Sequence, residues 1–126
     1  MKKQIVSILL FLFIIINVNA QKTDLILGTW VFKKALNKEI DKAGLAFMNA
    51  QVIDKWKFIF LSSGVFETYM MQEKASGNWT LSADSKSIIL SGIEGGEKEF
   101  KILKSTKDEL ILKLGLGAFL LKRIQE

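Results

Sequence analysis

The sequence predicts an all-β fold: an eight-stranded, up-and-down antiparallel β-barrel with one short helix between its first two strands. Three observations carry this expectation. Short segments with period-two alternation recur at near-regular spacing, turn residues separate them, and one face of each segment is consistently apolar. Residues 28–34, 56–61, 65–71, 77–81, 87–91, 97–103, 109–114 and 117–124 form the eight strands.

The junctions are "SSG" at 62–64, "ADSK" at 83–86, "EGG" at 94–96, "TKD" at 106–108 and "LGLG" at 114–117. Gly supplies positive φ and Asp or Ser satisfies turn backbone, so short hairpins form and neighbouring strands run antiparallel. Trp56, Phe58 and Phe60 alternate with Lys57, and Phe100 and Ile102 flank Lys101. Leu110 and Leu112 alternate with Ile111 and Lys113, and Phe119 and Leu121 with Lys122. The apolar set faces inward and the lysines outward. Phe66, Thr68 and Met70 are assigned to the inside.

The stretch "NKEIDKAGLAFMNA", residues 37–50, has Ile40, Ala43 or Gly44, and Phe47 at helical spacing. It reads as a short helix capped by Asn37 or Asp41. Gly44 weakens it by about 1 kcal/mol relative to Ala.

The chain has 126 residues, and its first twenty have the pattern of an export signal. Lys2 and Lys3 precede an apolar run from Ile5 to Ile16, and Val18 and Ala20 fit a small-residue cleavage site, which makes Gln21 the expected first residue of the exported product. The run is shorter than the roughly 17–25 residues of a membrane-spanning helix, so no stable span is expected after cleavage. A retained anchor is the competing reading. The expected location is the periplasm or the outside of the cell.

Taking that 20-residue segment from 126 leaves residues 21–126, 106 residues and room for one domain. Two of the 18 basic residues lie in the leader, so the remainder carries 16 against 13 acids, a net charge of +3. The lysines are spread among acids rather than clustered, which argues against nucleic acid as a partner. With no cysteine there is no disulfide, and a continuous apolar core must hold the domain. With neither His nor Cys, the usual transition-metal ligands and the commonest general base are missing. No metal, cofactor or catalytic residue is therefore expected, and the chain reads as a non-enzyme.

Eight antiparallel strands with one apolar face can bury it by splitting into two packed sheets or by closing on themselves, and closure, the expected arrangement, pairs strand eight with strand one. Trp30 near the start of strand one then meets Arg123 near the end of strand eight. Arg123 is the single arginine beside seventeen lysines. A guanidinium stacked on an indole, with donors turned to nearby carbonyls, explains that choice. Gly28 allows close packing beneath Trp30. These three residues are the expected barrel closure.

An early "GTW" with a late arginine on the last strand resembles the lipocalin superfamily. The series "WKFIFLSSGVF", "GNWTLSADSKSIIL", "LILKL" and "FLLKRI" resembles more particularly the small exported lipocalin-like proteins of bacteria. The resemblance spans residues 25–124. It implies the barrel fold, and the aromatic-rich inward face makes a small apolar molecule or lipid the expected ligand. The chain is shorter than typical secreted lipocalins, lacks their disulfide and shows no C-terminal helix, which implies a smaller interior.

Phe58, Phe60, Phe66, Met70, Trp79, Phe100 and Phe119 are inward and either line a ligand cavity or simply form core. Leu45, Phe47 and Met48 are expected to face inward from the helix, as a lid or as a plug. Phe47 and Met48 complete the candidate lining. The ligand is expected at the end away from Trp30. The alternative is a structural or interaction module of the periplasm or cell surface with a side-chain-filled barrel. "GLGAF" and "GIEGGEKE" lack the third glycine or the Lys-Ser/Thr pair of phosphate loops and read as turns. Intact-mass analysis of the exported protein is expected to show Gln21 as the first residue. A mass that retains residues 1–20 would contradict the cleavage.

Overall fold

A computed structural model describes residues 23–125 other than Lys38, Glu94 and Leu116. The expected leader, residues 1–20, lies outside the described residues. Among these residues there are eight strands: β1 (Gly28–Ala35), β2 (Lys57–Phe60), β3 (Val65–Met70), β4 (Glu73–Leu81), β5 (Ser87–Ser91), β6 (Lys98–Ser105), β7 (Glu109–Leu114) and β8 (Gly117–Ile124). Each pairs antiparallel with the next and β8 returns to β1, closing the barrel. Closure leaves no sheet edge to template unwanted pairing.

Alternation sets the interior. Trp30, Phe32, Phe58, Phe60, Phe66, Trp79, Ile88, Leu90, Leu110, Leu112, Phe119 and Leu121 are buried in one cluster. The rings meet across the barrel: Phe58 of β2 stacks on Phe100 of β6 at 5.4 Å and 9°. Phe58 also meets Phe32 edge-on at 4.9 Å and Phe66 at 5.3 Å. Such ring pairs add about 0.5–1.5 kcal/mol each beyond area burial.

Two differences from the sequence expectation have physical causes. Strand β4 begins at Glu73 rather than at 77, pairing Met70 with Glu73 and Glu67 with Ser76. The turn between β3 and β4 uses Met71 (φ 52°) and Gln72 (φ 69°), both left-handed. That geometry suits the twist of a two-residue hairpin, but without Asn or Gly the sequence does not announce it.

The helix, α1, spans Lys42–Phe47, and a π-helical turn, Met48–Val52, continues it. Asp41 is the cap, accepting from Gly44 N at 2.7 Å. Asn37 instead accepts from Ala118 N at 3.0 Å, tying the segment after β1 to the start of β8. A Cβ on Gly117 would overlap the Asn37 side chain, so this approach requires glycine there. No residue of α1 is buried: Leu45 is 48% exposed and Phe47 47%. The expectation that both face inward does not hold. So short a helix reaches the core only through the π-turn that continues it, by way of the half-buried Met48 and the buried Val52.

The two ends of the barrel differ. At the end holding the start of β1, a helical turn at 23–26 precedes the strand, and Trp30 Nε1 donates to Ile26 O at 2.8 Å. Trp30 pairs in register with Arg123, whose guanidinium carbon lies 4.3 Å from the indole centroid. Arg123 Nε donates to Lys107 O at 2.6 Å and Nη2 to Leu25 O at 2.7 Å, and Nη1 donates to Leu27 O. Gly28 has φ +118°, and a Cβ there would lie 2.6 Å from Arg123 Nη1. Both the backbone and the space exclude a side chain.

Trp30→Ala is expected to cost about 3–5 kcal/mol in denaturant unfolding, since the residue is fully buried. A double-mutant cycle with Arg123→Ala should give a coupling of about 0.5–3 kcal/mol. Additive effects would refute the stack as a closing interaction.

Candidate functional site: the helix end of the barrel

At the end opposite Trp30, where β1 finishes and α1 begins, burial becomes incomplete. Met48, Trp56, Met70, Phe100 and Leu114 pack on the core yet keep part of their surface open. They come from the π-turn, the lead-in to β2, and β3, β6 and β7. Beyond them Leu45, Phe47 and Met71 are exposed. Met is well suited to such a rim because its unbranched thioether adapts to irregular partners.

Trp56 differs from its neighbours on this rim in carrying a polar atom. Its ring meets Phe32 edge-on at 5.6 Å. Its backbone carbonyl accepts from Phe32 N at 3.1 Å and its N–H donates to Val52 O at 3.0 Å, which fixes its position. The indole Nε1 is buried with no hydrogen-bond partner among the described residues. The contrast with the other indoles is direct: Trp30 donates to Ile26 O, and Trp79 Nε1 to Leu61 O at 2.9 Å. A buried donor left unpaired costs about 1–3 kcal/mol.

The structure sorts the nine candidate lining residues into three groups. Phe58, Phe60, Phe66, Trp79 and Phe119 are buried and occupy the barrel centre. Met48, Met70 and Phe100 lie at its partly open end, and Phe47 stands outside it. Trp56 and Leu114 join the second group although sequence reasoning placed neither in the lining. Trp56 shares the inward parity of Phe58, which was the available signal. The unpaired N–H had none.

The outer wall is polar and locally paired. In the β3–β4 hairpin Lys74 contacts Glu67 at 2.7 Å and lies 5.7 Å from the Tyr69 ring centroid. The hydrogen bond to Glu67, then its charge, holds the Lys74 ammonium above its usual range. Glu109 bridges Lys122 at 2.7 Å and Lys104 at 3.0 Å, linking β6, β7 and β8. Bonding to Lys122 and then Lys104 lowers its carboxyl. In the β4–β5 turn, Asp84 is lowered chiefly by the Ser82 hydroxyl at 2.6 Å and by Lys86 N. These exposed pairs are structural fastenings of modest strength. Among the described residues no group of three or more Asp, Glu, His or Cys could hold a metal ion. No helix among them is long and apolar enough to cross a membrane.

No protein-family model matches the sequence, and no curated protein matches it significantly. Solved structures do match. A lipocalin-like protein from Bacteroides uniformis superimposes with a TM-score of 0.58 at 12% identity, covering 79% of this chain and 99% of that one. An uncharacterized protein from Bacteroides eggerthii gives 0.58 at 14% identity, covering 78% and 98%. A further protein from Bacteroides uniformis gives 0.55 at 18% identity, covering 82% and 93%. The chain is thus similar in structure to bacterial proteins that include a lipocalin-like one. Its fold is a lipocalin-like β-barrel.

The Glu109 carboxyl is expected to titrate below the ordinary glutamate range by NMR. Its contribution to stability is present above the unfolded-state pKa and is lost as the pH falls through the lowered folded-state value. Lys122→Gln should return the titration toward the ordinary glutamate range. An unchanged midpoint would show that Lys122 is not its main partner.

Proposed function

We propose that this protein is an exported, non-catalytic lipocalin-like barrel that binds a small apolar molecule or lipid at its helix end. The observation that carries the reading is the buried, unpaired Trp56 Nε1 beside the partly open apolar side chains Met48, Met70, Phe100 and Leu114. Eight-stranded barrels of this kind have interiors that are either filled by side chains or hold one small ligand. Here the centre is filled by rings packed edge-on and, at Phe58 and Phe100, face to face. Binding is therefore assigned to the end, where apolar surface remains partly open and an entering ligand oxygen would give the buried donor a partner. The leader pattern supports export. The lack of His and Cys supports a non-catalytic role.

A second reading, a structural or interaction module with a filled barrel, rests on the exposed Leu45, Phe47 and Met71 at the same end. It requires a protein partner that cross-links there.

Native mass spectrometry and solvent extraction of the purified protein are expected to release a small apolar compound. Thermal-shift titration should find stabilising ligands among medium-chain ketones, esters and alcohols. Trp56→Phe should weaken a ketone by roughly 5–30-fold, the worth of a hydrogen bond of about 1–2 kcal/mol. If nothing is released and no compound shifts the midpoint, the ligand reading falls in favour of the interaction module.

A further inference from the structure

The end closed by Trp30 and Arg123 is not solid. A cavity of about 220 Å³ lies beside that closure, lined by Leu25, Ile26, Leu81, Ser85, Ile102 and Ser105. Its wall combines the helical turn at 23–26 with the last residue of β4, the β4–β5 turn and the second half of β6. Four of these six residues are aliphatic, and the two serines bring hydroxyls that can donate. Leu25 also lines an open groove with Asp24, Lys107 and Arg123, so the apolar cavity and the charged groove adjoin.

The charges there favour an anion. Among the described residues of the groove lining, Lys107 and Arg123 stand against one acid, Asp24. The nearby carbonyls of Leu25, Leu27 and Lys107 already accept from Arg123, which leaves them less able to serve a cation. Those three bonds use three of the five N–H donors of a guanidinium, so donors remain. Volume limits the apolar part. A 150 Å³ apolar cavity takes benzene, so 220 Å³ suits a body of about six to eight carbons. Drug-sized ligands occupy pockets of about 300–1,000 Å³, more than the apolar recess alone offers.

We propose that this end is a second binding site, for a short-chain amphipathic anion such as a six- to eight-carbon monocarboxylate. The alkyl chain enters between Ile26, Leu81 and Ile102, and the carboxylate stays in the groove at Lys107 and Arg123. The site is independent of the helix end, which lies across the filled aromatic centre.

Methyl NMR of the purified protein titrated with sodium hexanoate tests the assignment. The expected result is saturable 1:1 binding with shifts at Leu25, Ile26, Leu81 and Ile102, while Met48 and Met70 stay in place. Ser105→Phe, which fills the cavity, should weaken hexanoate at least tenfold. Lys107→Gln should weaken hexanoate about three- to tenfold and leave 1-hexanol unchanged. If circular dichroism shows that Ser105→Phe does not fold, Leu25→Trp fills the cavity from the turn without altering a strand. Absence of saturable binding, shifts confined to Met48 and Met70, or undiminished affinity in the folded filled variant would overturn the site. Equal loss of hexanoate and hexanol in Lys107→Gln would overturn the anionic head. Because the two ends carry different reporter methyls, failure here is distinguishable from failure of ligand binding at the helix end.

Discussion

The contact between Arg123 and Trp30 joins the parts of the chain that must meet for the barrel to exist. The guanidinium lies over the indole at 4.3 Å and reaches carbonyls of Leu25, Leu27 and Lys107. One side chain on the last strand thus holds the first strand, the turn before it and the β6–β7 connection. A lysine presents a point charge and cannot spread planar donors over three separated acceptors while stacking. The contact also explains Gly28, since any Cβ there would displace Nη1. With this end fastened, β1 and β8 are in register and the alternation of each carries its large side chains inward.

Closure of so small a barrel has a consequence for binding. The inward residues are large and mostly aromatic, and they meet one another across the centre. Phe100 on β6 lies flat against Phe58 on β2, which in turn touches Phe32, Phe60 and Phe66. Without a disulfide, this packing is the main source of cohesion, and removing one such ring costs about 3–5 kcal/mol. The aromatic inward face is therefore chiefly a core.

Much of the fold was legible because barrels obey simple periodicities. Parity identified Phe58, Phe60, Phe66 and Phe119 as inward, and antiparallel closure brought residue 30 to residue 123. The first half of β4 was hidden because Met71 and Gln72 adopt left-handed conformations that neither residue advertises. The helix misled for a different reason. Its apolar spacing suggested burial of Leu45 and Phe47, but a six-residue helix outside the barrel has no surface against which to bury them. The unpaired Trp56 N–H and the cavity beside the 23–26 turn depend on how distant segments meet. Local pattern carries no record of either.

The two ends differ from the centre in what binding must displace. A ligand in the centre must separate Phe58 from Phe100, losing a stacked pair and the close packing around it. At the helix end, Met48, Met70 and Leu114 are already partly open, and the Trp56 Nε1 donor has no bond among the described residues to lose. At the Arg123 end the cavity exists without moving a ring, and the closing hydrogen bonds lie beside it. Repacking costs therefore oppose entry to the centre more than to either end. A barrel whose cohesion comes from a filled middle can still present two chemically distinct surfaces: an apolar rim with a lone donor, and a small apolar recess beside cations.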